Sequence, residues 1–164
     1  MTALIACRVP EQHIKAGPLD EAQAKQLFVR FGIPVTREIV VNTSPEAESA
    51  AKEIGGPVAL KLLSRQVTHK SDIGGVMLNM DRPLNQAGAA SMLRSLKSWP
   101  LLDGYRGKPL RDTEAMAAVI VRFSEMVHIL GPRLKVAEIN PVFIRNQGGG
   151  AMAADGVAVI GDGN

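Results

Sequence analysis

Between residues 58 and 80 the chain reads VALKLLSRQVTHKSDIGGVMLNM, and no other stretch restricts the fold as much. Its first five residues alternate in character. Val58, Leu60 and Leu62 fall on one face of an extended strand and Ala59 and Lys61 on the other, because strand side chains repeat every two residues. A lysine opposite an apolar face, on a strand bound for a core, points to a cleft or to solvent. A polar loop follows with Ser64, Arg65, Thr68, His69, Lys70, Ser71 and Asp72. Gly74 and Gly75 then let the backbone turn tightly or approach a ligand closely. A second strand pattern resumes over 76–80. Two readings fit these residues: a β-hairpin with a long polar loop, or an anion site in which lysine, histidine and glycine-rich backbone serve a phosphate.

The flanks fix the fold class. Residues 1–18 carry Pro10, Gly17 and Pro18 with little pattern and read as an arm. From 19 to 31, Ala24, Leu27, Phe28 and Phe31 form an i, i+3, i+4, i+7 stripe, with Asp20 and Glu21 at the start and Gly32 as the stop. A strand is expected over 33–41, where Val35, Ile39, Val40 and Val41 follow Pro34. Ser44 as cap, Pro45 at the first helical position and Glu46 behind it open a helix whose stripe is Ala47, Ala50, Ala51 and Ile54. Residues 19–80 therefore alternate helix and strand, as an α/β lobe does.

After Asp81, Arg82 and Pro83, a weaker helix over 84–96 carries Ala89, Met92, Leu93 and Leu96, and 99–104 reads as a turn. Asp112 caps a longer helix with the stripe Met116, Val119, Ile120, Phe123, Val127 and Leu130, closed by Gly131 and Pro132. Two strands, 136–144 and 151–160, then flank the turn Gln147, Gly148, Gly149, Gly150 and should pair as an antiparallel hairpin. Glu138 and Asn140 share one face of the first strand, with Ala137 and Ile139 opposite. Depending on register, Asp155 lies across from them. That face is either a solvated exterior or an oxygen-rich site for a hard cation such as Mg²⁺.

Composition narrows the classes. A length of 164 residues suffices for one domain with a core or two small lobes, and 46% hydrophobic residues exclude a disordered chain. No apolar run approaches the ~20 residues of a membrane span, and residues 2–7 lack the basic start of a secretory leader, so a cytoplasmic location is the expectation. The net charge of +3 is spread among interspersed acids and bases. With six scattered aromatic residues, no stacking platform for nucleic acid is visible. The single Cys7 excludes an internal disulfide and reads as an inert thiol.

Four segments together resemble one family: GIPV at 32–35, VALKLLS at 58–64, HKSDIGGV at 69–76 and EINP at 138–141. LLDGYRGKPLRD at 101–112 is similar as well. The chain resembles the ATP-grasp domain or subunit of the NDP-forming acyl-CoA synthetases, relatives of succinyl-CoA synthetase. The resemblance implies an α/β, ATP-grasp-like fold over residues 19–164, with an N-terminal lobe at 19–80 and C-terminal helices and hairpin at 81–164. It implies that Lys61 binds phosphate, with Lys70, Gly74 and Gly75 beside it. It implies that His69 carries a phosphoryl group between sites, and that Asn140 and Asp155 hold Mg²⁺ with Glu138 as near neighbour. ATP or ADP is the implied nucleotide, and a CoA-binding α-type subunit or domain the implied partner; self-association is compatible with it. One departure is large. The family's long middle segment, with its adenine-gripping hinge and second lobe, has no counterpart, because Met80 runs through Asp81 and Arg82 directly into Pro83. The resemblance therefore implies a truncated second lobe and an ATP-grasp part that is catalytically incomplete alone. The alternative is a non-catalytic module that has lost its nucleotide site.

Overall fold

The structure, a computed structural model, describes residues 14, 16–55, 58 and 83–162. The expected strand–loop–strand of 58–80 lies outside them except for Val58, which is exposed.

The first helix, α1 (Glu21–Arg30), starts at Asp20 with a reciprocal capping box: the Asp20 carboxylate accepts from the Gln23 N–H, and the Gln23 side chain accepts from the Asp20 N–H. Its expected stripe is the observed one, since Ala24, Leu27, Phe28 and Phe31 are all buried. Gly32 leaves the helix with φ of 72°, a conformation that costs glycine little.

The expected strand at 33–41 reduces to one parallel bridge, Val35 with Ala153. Its hydrogen bonds run from the Thr36 N–H to the Ala153 carbonyl at 2.9 Å and from the Ala153 N–H to the Pro34 carbonyl at 2.8 Å. Beyond Thr36 the segment finds no ladder among the described residues, so Ile39–Val41 chemistry that favours a strand is left without a paired neighbour there. The second helix, α2 (Ser44–Ile54), is capped by Thr43 rather than by Ser44, the Thr43 hydroxyl accepting from the Glu46 N–H. None of its residues is buried.

In the second half, α3 (Gln86–Ser95) is capped by Asn85 and buries Ala89 and Leu93, while Leu96 is exposed rather than part of the buried stripe. The expected turn at 99–104 begins with a single helical turn, α4 (Trp99–Leu102). Asp112 caps α5 (Thr113–Leu130) as expected. The packed face of α5 is wider than the expected stripe: Val119 and Leu130 are buried with Ala117, Ser124 and Met126, Met116, Ile120 and Phe123 pack beside them, and Val127 is exposed. The reason is that α5 serves two clusters. One is the main core with α1 and the sheet, and the other is a smaller cluster of Ala89, Leu93 and Ala117. By length and mean hydropathy 113–133 passes for a membrane span, though charges at Glu114, Arg122, Glu125 and Arg133 interrupt its apolar run, and here it is the helix on which both clusters pack.

The two long C-terminal strands are each broken. They form β2 (Leu134–Ile139), β3 (Val142–Ile144), β4 (Ala151–Ala153) and β5 (Gly156–Ile160). β2 and β5 pair antiparallel, as do β3 and β4. Pro141, which has no N–H to donate, sits at the break beyond a cis Asn140–Pro141 peptide. The last residues of the expected arm, Gly17–Pro18, add β1 to the other edge of β5, giving the order β1-β5-β2. The inner face, Ala137, Ile139, Ala158 and Ile160, joins α1 and α5 in the core.

Candidate functional site

The hairpin register decides which predicted ligands meet. In the β2–β5 ladder Glu138 stands opposite Val157 and Ile139 opposite Gly156. The Asn140 N–H then donates to the Asp155 carbonyl at 3.1 Å, and the Ala154 N–H to the Pro141 carbonyl at 3.0 Å. Val142 follows opposite Ala153. The pairing count is thus kept across the break, and Asn140 faces Asp155 directly. Glu138 and Asn140 share a face of the first strand, but Asn140 and Asp155 both lie at the break, where the inward side changes from Ala151 and Ala153 in β4 to Gly156, Ala158 and Ile160 in β5. The backbone pairing therefore brings the two residues together without setting a common side-chain face. The core takes the other face of the first strand, where Ala137 and Ile139 pack. The Asn140 amide nitrogen donates to Glu138 Oε1 at 3.3 Å, a contact open to it only from the same face. Asp155 Oδ1 accepts from the Gly156 N–H at 2.7 Å, which fixes the carboxylate against the backbone at the strand break.

Two carboxylates and one amide oxygen are hard donors and suit Mg²⁺, which keeps waters and shares nucleotide phosphates instead of taking a full protein cage. Among the described residues no three His, Cys, Asp or Glu side chains gather as a metal site. Lys61, His69, Lys70, Gly74 and Gly75, expected on the phosphate side, lie outside the described residues.

Two arrangements escaped the sequence. Asp112 does more than cap α5. Its Oδ1 accepts from the Ala115 N–H at 3.0 Å and its Oδ2 from the Gly150 N–H at 2.8 Å. These backbone donors, Ala115 first, hold its carboxyl below the ordinary carboxylate range. The turn is fastened further by the Gln147 N–H on the Leu110 carbonyl and the Asp112 N–H on the Arg145 carbonyl, both 2.9 Å. The second is Lys25, which lies inside the apolar stripe of α1 at 3% exposure and bonds Glu38 at 2.5 Å and Thr36 at 2.9 Å. The Asp112–Gly150 and Lys25–Glu38 partnerships have no local signal, since each joins residues more than ten positions apart. An open cavity of about 630 Å³ lies beside Asp112, Gln86 and Gly148, and another of about 450 Å³ between residues 39–41 and α2. Neither is lined by Glu138, Asn140 or Asp155.

This hairpin, with its two oxygen-bearing strands backed by α1 and α5, belongs to an ATP-grasp domain. The chain matches that family in two pieces, residues 12–83 and 80–160, and is a member of it. It is 25% identical to the β subunit of the ADP-forming acetate–CoA ligase II of Pyrococcus furiosus, over 85% of this chain and 90% of the relative. That alignment runs over 213 residues against a chain of 164, so the relative carries residues with no counterpart here. The two family matches meet at 80–83, the same place as the junction read from the sequence. Among solved structures, a Pyrococcus horikoshii protein superposes with a TM-score of 0.76 at 23% identity, covering 90% of this chain and 93% of that one. An acetyl-coenzyme A synthetase of Ca. Korarchaeum cryptofilum, solved with coenzyme A and Mg-AMPPCP, superposes at 0.69 with 24% identity, over 88% and 93%.

Proposed function

We propose that this chain is the ATP-grasp part of an NDP-forming acid–CoA ligase and works with a separate CoA-binding subunit. The observation that carries the proposal is the backbone pairing of Asn140 with Asp155, with the Asn140 side chain bonded to Glu138, in a chain of this family. The relatives support the partner: the Pyrococcus protein is itself a β subunit. The Korarchaeum enzyme supports the relay, since it was solved with its phosphohistidine segment pointing towards the nucleotide site.

In this proposal Lys61, Lys70 and the backbone at Gly74 and Gly75 neutralise and hold the phosphates. Bound Mg²⁺ supplies charge neutralisation, and Asn140, Asp155 and Glu138 are the residues that would hold it. Phosphoryl transfer depends mainly on such positioning and electrostatics. His69 supplies the nucleophilic ring nitrogen: a nitrogen–phosphorus bond forms as the bond between the terminal phosphorus and the ADP oxygen breaks, and ADP leaves. The phosphoryl group then passes to the acyl substrate on the partner.

Incubation of the chain and its CoA-binding subunit with γ-labelled ATP and Mg²⁺ tests this. Acid-labile, base-stable label on His69, absent in His69→Asn, is the expected result. The second reading, a binding module without chemistry, rests on the relative's extra residues. It predicts a stable complex with the CoA-binding subunit and no label under any condition.

A further inference from the structure

Between α3 and α5 the chain turns outward four large apolar side chains: Leu96, Leu101, Tyr105 and Leu110, each 43–57% exposed. They belong to one segment, a knob whose backbone is tied together by hydrogen bonds. The Trp99 N–H donates to the Leu96 carbonyl, the Lys108 N–H to the Tyr105 carbonyl and the Arg111 N–H to the Leu102 carbonyl. The Leu110 side chain closes over Gly104, where an added Cβ would stand 3.3 Å from it. From 94 to 111 the knob carries five cations and one carboxylate. Arg94, Lys97, Arg106 and Lys108 take part in none of the ion pairs found among the described residues. Arg106 has φ of 54°, the left-handed region that a side chain normally avoids, and its guanidinium lies 5.1 Å over the Tyr105 ring. Exposed apolar side chains among mostly basic neighbours, with an arginine of left-handed backbone over an exposed ring, are features of a recognition surface.

We propose that this knob docks the CoA-binding subunit, and that the subunit meets it with an apolar surface rimmed by carboxylates. The proposal rests on the reading of the chain as one part of a ligase. Charge selects the occupant. A second copy in a symmetric contact would set one basic rim against another, which is repulsive. A bilayer is disfavoured because Trp99, the side chain best suited to its interface, packs inward with Ala89, Leu93 and Ala117, and α4 is one turn long. A nucleic acid would need more than the single exposed ring of Tyr105 to stack on.

The test titrates the full chain with the purified CoA-binding subunit from the same genome by calorimetry, at low and high salt. Leu101→Asp and Arg106→Glu should each weaken binding by on the order of tenfold or more. Lys52→Glu, on exposed α2, should leave it unchanged. Arg106→Gly should weaken binding while holding or raising the melting temperature, because glycine relieves the left-handed backbone; a purely structural arginine would not separate the two. A complex that forms with unchanged affinity in Leu101→Asp and Arg106→Glu overturns the docking site and leaves the ligase reading standing. No complex with the wild-type chain overturns the ligase partnership, and the docking site with it. Knob-dependent sedimentation with phosphatidylserine vesicles, in place of binding to the subunit, would reassign the surface to lipid and overturn the proposal.

Discussion

Gly156 lies where the Phe28 ring meets the sheet. A Cβ added there would stand 2.8 Å from Phe28 Cζ and 2.9 Å from the Glu138 carbonyl oxygen, and Phe28 is fully buried. Neither the backbone nor a packed ring gives way easily, so Gly156→Ala should cost about 2–3 kcal/mol in urea unfolding, the range of core overpacking. Gly161, against the flexible end of Lys135, should tolerate alanine better. Asp112 yields a pH dependence. Its folded carboxyl is held below its ordinary value by the Ala115 and Gly150 N–H groups, so the ionised form is favoured by folding. Its contribution is therefore complete above the unfolded value of about pH 4 and is lost as pH falls through the lower folded value. Asp112→Ala should lower the melting temperature by about 3 °C at pH 7, a typical loss for a helix cap in a domain of this size. Thermal scans should show the gap narrowing in acid; a gap that widens would contradict the hydrogen-bond cause.

At the scale of elements, what was legible was local. Helices α1 and α5 are announced by Asp20 and Asp112 before apolar stripes and α3 by its own apolar stripe, and each forms there. The hairpin is announced by Gly148, Gly149 and Gly150 between two β-rich runs, and its strands pair antiparallel with Asn140 backbone-bonded to Asp155. What was not legible depends on distant partners. The strand propensity of 33–41 needs a neighbour to become a ladder, and among the described residues only Ala153 provides one, at Val35. The α5 stripe holds except at Val127, which is exposed, because the helix serves two clusters and its packed surface is wider than one stripe. Lys25 was invisible because nothing in a helical stripe says which long side chain will find Glu38. That pair ties α1 to the extended segment. Glu38→Gln would leave a nearly buried ammonium with Thr36 and the more distant Glu21, 4.0 Å away. We expect a loss of about 2 kcal/mol, below the cost of breaking a fully buried pair because Glu38 is partly solvated. Lys25→Met in that background should recover most of it, and a double-mutant cycle by urea unfolding measures the coupling.

For the whole molecule the decisive property is the share of a nucleotide that one chain can enclose. The part of the hairpin that carries Glu138, Asn140 and Asp155 is partly open to solvent, with Asn140 exposed, and an electrostatic contact there is screened by water and salt. The base of a nucleotide is normally gripped by apolar area and backbone hydrogen bonds. The Pyrococcus relative has residues beyond those matched here, and the junction near 80–83 is where the sequence places the loss of that grip. Phosphate and metal contacts alone should therefore hold ATP·Mg²⁺ near the millimolar range, about −4 kcal/mol, with no turnover by the isolated chain. Isothermal titration with ATP and Mg²⁺ measures this directly. Asp155→Asn should weaken what binding there is and flatten its Mg²⁺ dependence, while an exposed change remote from the hairpin, Glu48→Gln, should leave both unchanged. Adding the CoA-binding subunit should tighten the nucleotide if the partner supplies the missing cover, and the two ligands must then strengthen each other by the same factor. Micromolar affinity in the isolated chain would show instead that its own residues enclose the base, and the reading of an incomplete nucleotide site would fall.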